Sequence, residues 1–170
     1  MTDLQKKRLK VALSLVAFTC FVWFAPKLVY LNTTRSLPIG IYLAIPGMNL
    51  RHGDYVVYDP PDKVKELMLE RRYGSEDIEK ITFLKRVGGL PGDVYGVIND
   101  EILVNREKKG IVQRQDNAGN PMPVEDGWHL IKEGQFLPLG DKTNSLDGRY
   151  TGTVPIGSIR NRVVPVITEW

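Results

Sequence analysis

The amino-acid sequence predicts a mainly β domain with antiparallel strands and one short helix, preceded by a single N-terminal transmembrane helix. An uncharged apolar run fills residues 11–25, and a later stretch beginning at Asp62 repeats its apolar residues with helical spacing. The other apolar runs are short and are separated by turn residues, a pattern typical of strands. With 16 Gly and 11 Pro among 170 residues, many turns are expected, which also favours a β-rich fold.

The apolar run predicts a membrane anchor over residues 11–31. Residues 11–25 would cover about 22 Å as a helix, and continuing to Leu31 brings the span to about 31 Å, roughly the thickness of the hydrocarbon layer. The preceding tail, residues 1–10, contains four basic side chains, which predicts a cytoplasmic N-terminus. We therefore expect a single-pass membrane protein in which residues 32–170 are exported.

A cleavable signal peptide is the alternative interpretation of this segment. It is not favoured, because the residues that follow the apolar run, Phe24-Ala25-Pro26-Lys27, contain no small-x-small cleavage site.

The charge and cysteine content exclude several function classes. The formal net charge is +3, and removing the four basic and one acidic residues of the first ten leaves 19 of each sign, so the domain is neutral and nucleic acid is not an expected partner. The single cysteine, Cys20, lies in the predicted anchor, which excludes a disulfide framework, a cysteine-rich metal site and a cysteine nucleophile. We expect membrane lipid as a partner, and neither a metal nor a cofactor.

The first half of the domain predicts strands, then the helix, then another strand. Residues 39–45 and 55–58 are the first strands. Asp62 resembles the N-cap of a short amphipathic helix over residues 63–71, ended by Gly74, which would pack over a sheet. Residues 81–87 form the next predicted strand.

The second half predicts a hairpin, an exposed flap and two further strands. Residues 95–98 and 102–105 flank the turn Asn99-Asp100, and residues 106–128 are polar and turn-rich, so we expect an inserted hairpin and flap over about residues 98–128. Residues 136–139 and 158–167 are the last predicted strands, with Pro165 favouring an edge position.

Lys85 is the residue of the domain that best fits a catalytic base. It lies in the apolar segment ITFLKRV, where we expect it to be buried. A lysine that is to act as a neutral amine near pH 7–8 needs its pKa lowered by roughly 3 units, about 4 kcal/mol, and burial can cause such a shift. A Ser–His–Asp triad would require His52 or His129, and neither lies in a specialised stretch. A serine activated by a lysine is therefore the preferred nucleophile.

Four segments resemble, in order, the conserved boxes of the type I signal peptidase family, which are membrane-bound Ser/Lys proteases. The segments are TRSLPIG (34–40), HGDYVVYDP (52–60), FLKRVGGLPGD (83–93) and GDKTNSLDGR (140–149). This resemblance implies a signal-peptidase-like fold without a cofactor, in which Ser36 is the nucleophile and Lys85 the general base. It also implies that Thr34 joins the Ser36 N–H in the oxyanion hole.

The resemblance assigns supporting roles to the last segment. Ser145 would orient the lysine amine, Asp147 and Arg149 would form a charge pair that braces the site, and Asp141 lies in the same segment. Gly148 stands where the family usually has a serine.

The sequence around Ser36 is similar to that of the conjugative-transfer branch of the family. This branch contains the TraF-type peptidases, which mature pilin precursors for type IV secretion. Pro38 stands two positions after Ser36, where the ordinary family has proline at three. The implied function is a membrane-anchored serine endopeptidase that cleaves an exported precursor polypeptide, with hydrolysis and cyclisation both open. A general signal peptidase and a non-catalytic pilus-assembly module are the alternatives.

Overall fold

The computed structural model describes residues 2–74 and 77–170, without the side chains at positions 17 and 20–27. Met1 of the predicted tail and the side chain of Cys20 therefore lie outside the described part. The helices are α1 (Asp3–Leu28), α2 (Asp62–Glu70) and α3 (Gly148–Thr151). The strands are β1 (Val29–Asn32), β2 (Ile39–Ile45), β3 (Tyr55–Tyr58), β4 (Phe83–Gly89), β5 (Val94–Ile98), β6 (Glu101–Val104), β7 (Glu107–Ile111), β8 (Gly127–Leu130), β9 (Gln135–Leu139), β10 (Val154–Pro155) and β11 (Ile159–Glu169).

The strands of the described residues form two antiparallel sheets. The large sheet has seven strands in the order β1-β2-β11-β3-β4-β9-β10, and the small sheet has four in the order β7-β6-β5-β8. Every pair of neighbouring strands in these two sheets is antiparallel, so the predicted mainly β, antiparallel class is confirmed.

The N-terminal helix ends before the predicted end of the anchor. Helix α1 stops at Leu28, and residues 29–32 form β1, whose Val29 pairs with Leu43 of β2. Val29 and Tyr30 belong to the residue types that favour strands, and β2 supplies the partner that the sequence pattern alone did not reveal. Across the part of the chain that the structure describes, no helix has the length and hydropathy needed to span a bilayer.

Helix α2 packs against the large sheet as predicted, although its N-cap is different. Val64 and Met68 are buried, and their cluster includes the partly buried Phe83 of β4. The N-cap is Pro61 and not Asp62, which lies in the first turn. Pro61 has extended backbone angles and its carbonyl accepts the amide of Val64, so the helix begins one residue after it.

The predicted hairpin is present, and the predicted flap is partly wrong. Asn99 and Asp100 have φ values of 50° and 62°, the conformation of a two-residue turn between β5 and β6. Asn105 and Arg106 repeat this geometry, with φ values of 51° and 69°, and return the chain as β7. Strand β7 therefore occupies part of the predicted flap over residues 106–128; its charged residues, typical of an edge strand, conceal the strand pattern.

Strand β11 lies inside the large sheet up to Val163, and Pro165 lies beyond it, so the edge position predicted from Pro165 applies to the last part of the strand only. The strand pairs with β2 on one side and with β3 on the other. Pairing with β3 ends at Val163, and the register with β2 shifts between Pro165 and Ile167. The sheet tolerates the proline because the missing N–H falls where the ladder is already interrupted.

Gly40 lets β11 approach β2 closely. Its φ is 147°, and a Cβ at this position would lie 2.0 Å from the carbonyl oxygen of Ile167. A side chain here would push the two strands apart.

One hydrophobic cluster joins the small sheet to the large one. It includes Tyr95 and Ile102 of the small sheet, Leu137 of β9 and Tyr150 of α3. This packing sets the small sheet beside β9 and forms one side of a cleft that runs past β4.

Candidate active site

A cleft of about 840 Å³ contains most of the predicted site residues. Its walls come from β4, from the turn between β1 and β2, from the loop after β9 and from residues 113–122 near the small sheet. Thr34, Ser36, Lys85 and Ser145 all line it. Neither His52 nor His129 does, so the cleft does not support the histidine alternative.

Lys85 points from β4 into the protein interior. Side chains alternate across a strand, so Lys85 shares the face of Phe83 and Val87, and it is only 5% exposed. Burial lowers the pKa of Lys85 to about 8, an effect that the nearby carboxylate of Asp147 partly opposes. The predicted burial of this lysine and the direction of its pKa shift are confirmed.

The amine of Lys85 is held by a serine hydroxyl. Its Nζ donates to Ser145 Oγ at 2.9 Å and lies 5.4 Å from the centre of the Phe83 ring. Ser145 is itself 3% exposed. The structure thus brings together the lysine and the serine that the resemblance assigns to orient it.

Ser36 lies in the turn that connects β1 to β2, here called the Ser36 turn (residues 33–38). Leu37 is fully buried and anchors this turn to the core. Ser36 Oγ lies 3.3 Å from Thr34 Oγ1, and Thr34 Oγ1 lies 3.0 Å from Asn32 Oδ1. The hydroxyl predicted for the oxyanion hole is therefore adjacent to the predicted nucleophile.

Ser36 and Lys85 face the same cleft without a direct hydrogen bond. Within residues 2–74 and 77–170, the side-chain contact of Ser36 Oγ is with Thr34, and that of Lys85 Nζ is with Ser145. Proton transfer between the two would require the Ser36 hydroxyl and the Lys85 amine to come within hydrogen-bond distance of each other, about 2.6–3.2 Å.

Asp141 contacts the Ser36 turn through its main chain. Its amide donates to the Ser36 carbonyl at 2.8 Å, while its carboxylate forms a bidentate pair with Arg86 at 2.7 and 3.0 Å. The Arg86 guanidinium stacks 4.2 Å from the Tyr55 ring. The supporting residue Asp141 thus links the Ser36 turn to the outer face of β4.

Asp147 and Arg149 form a buried ion pair beside the loop that carries Ser145. Asp147 is 0% exposed, accepts the amides of Gly140 and Arg149, and lies 3.2 Å from Arg149 Nη2. The Arg149 guanidinium donates to the carbonyls of Gly140 and Lys142. The predicted charge pair is present, and it fixes the chain on both sides of Asp141.

Gly140 is required for the close approach of Ser145. A Cβ at position 140 would lie 2.2 Å from Ser145 Oγ and 2.7 Å from Ser145 Cβ. Any side chain here would move the hydroxyl that holds Lys85.

Sequence reasoning missed two parts of the cleft. Asn32 bonds to the Ser36 turn, and the Tyr73 hydroxyl donates to Asp116, which fastens residues 113–122 over the cleft. Asn32 follows directly after the apolar run and Asp116 lies in a polar, turn-rich stretch, so neither gave a signal of its own.

The described residues contain no group of three or more His, Cys, Asp or Glu side chains placed to hold a metal ion. Besides the Asp116 carboxylate, which is bonded to Tyr73, the cleft contains the hydroxyls of Ser36, Thr34 and Ser145 and the amine of Lys85. This arrangement suits acyl transfer by an activated serine.

Comparison with known proteins identifies a matching family and several relatives. A family model described as signal peptidase, peptidase S26, matches residues 4–168. The plasmid transfer protein TraF of Escherichia coli is 30% identical over 145 residues, covering 81% of this chain and 81% of that protein. A signal peptidase I of Leptolyngbya laminosa is 30% identical over 115 residues, covering 67% of this chain and 51% of that protein. A crystal structure of signal peptidase I from Enterococcus faecalis aligns with a TM-score of 0.40 at 20% identity, covering 67% of this chain and 96% of that one.

Proposed function

This chain belongs to the signal peptidase S26 family, with TraF among its relatives, and on that premise we propose that it is a serine endopeptidase in which Lys85 activates Ser36. The observation that carries the proposal is a buried lysine that lines the same cleft as Ser36 and Thr34. With a pKa of about 8, roughly a tenth of the Lys85 amines are neutral at pH 7, against about one in 3,000 for an ordinary lysine. The fold thereby supplies a base at neutral pH.

The reaction follows from these groups. Ser36 Oγ attacks the scissile carbonyl carbon while Lys85 Nζ takes its proton, and the peptide C–N bond then breaks as the ammonium returns a proton to the leaving amine. Water, activated by the same lysine, hydrolyses the resulting ester and regenerates Ser36. Ser145 keeps the amine oriented through both steps, because its hydroxyl accepts one Nζ proton and leaves the nitrogen lone pair to face Ser36.

The oxyanion would be stabilised by the Ser36 amide and the Thr34 hydroxyl. The Ser36 turn holds both near the place where the oxyanion develops, and one such donor is typically worth about 10²–10³ in rate. The supporting residues act indirectly, by fixing the backbone of the Ser36 turn and of the loop that carries Ser145. These residues are Asp141, Asp147 and Arg149.

We propose that the substrate is an exported precursor, and specifically a conjugative pilin. The match to a plasmid transfer protein, over 81% of both chains, supports this choice. The second candidate is a general signal peptidase that removes signal peptides, and the similarity to the Leptolyngbya enzyme favours it. Release by water and closure onto the precursor's own N-terminal amine are both compatible with the acyl-enzyme.

We further propose that the chain is anchored in the inner membrane by residues 11–28, the part of the predicted anchor that is helical, with a cytoplasmic N-terminus and a periplasmic catalytic domain. The uncharged run of residues 11–25 and the basic tail before it support this topology. Resistance of the full chain to alkaline carbonate extraction would test the anchor, and a reporter fused after Trp170 would test the orientation. Complete release by carbonate would contradict the proposed anchor.

The proposed activity is tested by mass spectrometry of a co-expressed precursor pilin with the wild-type chain, with Ser36→Ala and with Lys85→Ala. We expect a truncated product only with the wild type, because each variant lacks one member of the dyad. Asp126→Ala, in an exposed ion pair with Arg114, serves as the control and should process normally. Full processing by either dyad variant overturns the proposal, and a product that lacks one water indicates cyclisation.

A further inference from the structure

Asn32, the last residue of β1, makes an unusual number of contacts with the Ser36 turn. It is 7% exposed, and the two protons of its Nδ2 are shared among the carbonyls of Thr34, Leu37 and Pro38, at N···O distances of 3.0, 3.1 and 2.9 Å. Its Oδ1 accepts from the Thr34 amide at 3.2 Å and from Thr34 Oγ1 at 3.0 Å. A single buried side chain thus satisfies polar groups at both ends of the turn that carries Ser36.

These contacts fix the position of the Thr34 hydroxyl oxygen and its resting hydrogen bond. Three carbonyl oxygens around Nδ2 identify that end of the amide as the donor, so Oδ1 can only accept. In the resting site Thr34 Oγ1 therefore donates its proton to Asn32, and during the reaction this proton must turn from Asn32 to the oxyanion while the oxygen stays in place, 3.3 Å from Ser36 Oγ. The resting Ser36 hydroxyl thus has an acceptor beside it, and Thr34 has a fixed place near the developing oxyanion.

Catalysis by Ser36 and Lys85 does not by itself explain why Asn32 makes this network of hydrogen bonds. The turn is held from outside by the Asp141 amide on the Ser36 carbonyl and by the buried Leu37. Tyr42 adds a hydroxyl that also donates to the Pro38 carbonyl, at 2.7 Å. Asn32 is the group among these that bonds to the Thr34 side chain.

We propose that Asn32 is a positioning residue for the Ser/Lys reaction: it holds the Thr34 hydroxyl and the Ser36 turn in the geometry that the oxyanion hole requires. This inference rests on the proposed function. Asn32 does not touch the reacting atoms, so it acts through Thr34 and through the backbone of the turn.

Two substitutions separate this role from simple space filling. In Asn32→Asp the side chain keeps its shape and its acceptor, but an ionised carboxylate oxygen replaces the donor that faces three carbonyls. In Asn32→Ala the donor and the acceptor are both lost without adding a charge. Kinetics are measured on the full chain in detergent, at pH 8, with a synthetic peptide that carries Ala-x-Ala before the scissile bond.

We expect Asn32→Ala to lower kcat by about tenfold to 100-fold, at or below the cost of an oxyanion donor, with KM changed less than twofold. Asn32→Asp should be worse than Asn32→Ala, because its carboxylate repels the three carbonyls. An Asp variant as active as the wild type, or more active than the Ala variant, overturns the inference.

A double-mutant cycle with Thr34→Val tests whether Asn32 acts through the hydroxyl. If it does, Asn32→Ala should cost much less kcat in the Thr34→Val background than in the wild type. Fully additive losses overturn that part of the inference. The matched control is Asn105→Gly, which removes an asparagine bonded to Asp93 and Val94 outside the cleft and tolerates the φ of 51°; its kcat should not change.

Amide exchange measured by NMR on the wild-type chain keeps the inference testable if the Asn32 variants do not fold. The Asn32 Nδ2 protons should exchange slowly, and rapid exchange overturns the proposed network. Ser36→Ala is assayed in parallel: if it cleaves the peptide like the wild type, the proposed function fails, whereas the exchange rate still reports whether Asn32 anchors the turn.

Discussion

The burial of the charged Lys85 side chain lowers the stability of the folded protein. Its ammonium is removed from water in the interior of the large sheet, and the resulting drop in pKa from 10.5 to about 8 corresponds to about 3 kcal/mol of disfavoured charging. The sequence alone indicated this lysine through its apolar neighbours. How far its pKa falls depends first on burial and then on the charges of Asp147 and Arg149, which come from a segment about 60 residues later.

We predict that Lys85→Met stabilises the protein at neutral pH. Below pH 8 the folded wild type bears the full penalty of a buried ammonium, whereas methionine fills the same space without charge. Between about pH 8 and 10.5 the unfolded chain binds more protons than the folded one, so the wild type gains stability as the pH rises. In urea unfolding at pH 7, the free energy of unfolding of the variant should exceed that of the wild type by up to about 3 kcal/mol. At pH 10 this difference should be smaller. An advantage that grows with pH would contradict this account.

The pH dependence of cleavage should report the same group. A base must be deprotonated to act, so kcat/KM should rise with pH through a midpoint near 8. Steady-state assays from pH 6 to pH 10 measure the profile, and Ser145→Ala, which removes the hydroxyl that orients the amine, should lower the plateau. A rising limb centred near the ordinary lysine value of 10.5 would show that Lys85 is not desolvated during catalysis.

At the scale of elements, the segment 113–122 forms a wall of the cleft because α2 and the residues after it hold it in place. The Tyr73 hydroxyl donates to the Asp116 carboxylate, and Arg71 Nη2 donates to the Pro121 carbonyl at 2.8 Å. The same carboxylate accepts the amides of Ala118 and Asn120 and closes the turn between them. A loop that the sequence presents as a solvated flap is therefore fixed against a helix.

We predict that Asp116→Ala weakens substrate binding more than chemistry. The substitution frees the segment 113–122, so a bound precursor loses one ordered wall, while Ser36 and Lys85 keep their partners. KM should rise about threefold to tenfold, the effect of losing roughly one hydrogen bond, and kcat should stay within twofold. Asp126→Ala is the control, since its ion pair with Arg114 lies on the exposed side of the same region. A loss confined to kcat would contradict this role.

At the scale of the whole molecule, a buried ion pair connects the two sheets. Asp147 accepts the Gly140 amide next to β9, and Arg149 donates to Gly140 and to the Ile111 carbonyl of β7. Charges so deeply buried are tolerated only with their partners present, because removing one leaves the other without compensation. The pair therefore keeps the small sheet, the loop of residues 140–147 and the Ser36 turn in one arrangement.

We predict that Arg149→Met lowers the free energy of unfolding by about 3–5 kcal/mol, because it leaves the Asp147 carboxylate buried and unpaired. Lys80→Met provides the control: its ion pair with Asp77 is exposed, and its loss should cost less than about 1 kcal/mol. Urea unfolding followed by circular dichroism measures both. A loss below 1 kcal/mol for Arg149→Met would show that the pair is not essential to the fold.

The sequence by itself determined the antiparallel β class, the hairpin at Asn99-Asp100 and the identity of Ser36 and Lys85 as candidate dyad residues. Each of these depends on local signals: alternating apolar residues, turn residues with positive φ, and short segments that match a family. Strand β1 gave no such signal, because its residues continue an apolar run and become a strand only by pairing with β2. Strand β7 gave none either, since its lysines and glutamate conceal it until β6 provides the ladder.

Only the tertiary structure decided how the site is held. The contacts that hold the site join different segments: Asn32 bonds to the Ser36 turn, Asp141 to the Ser36 carbonyl and Asp116 to Tyr73. The sequence around each of these residues does not indicate its contact. The physical reason is that a hydrogen bond or a lowered pKa belongs to a pair of groups and to the water excluded around them. A sequence specifies the groups, and folding brings them together and removes the water.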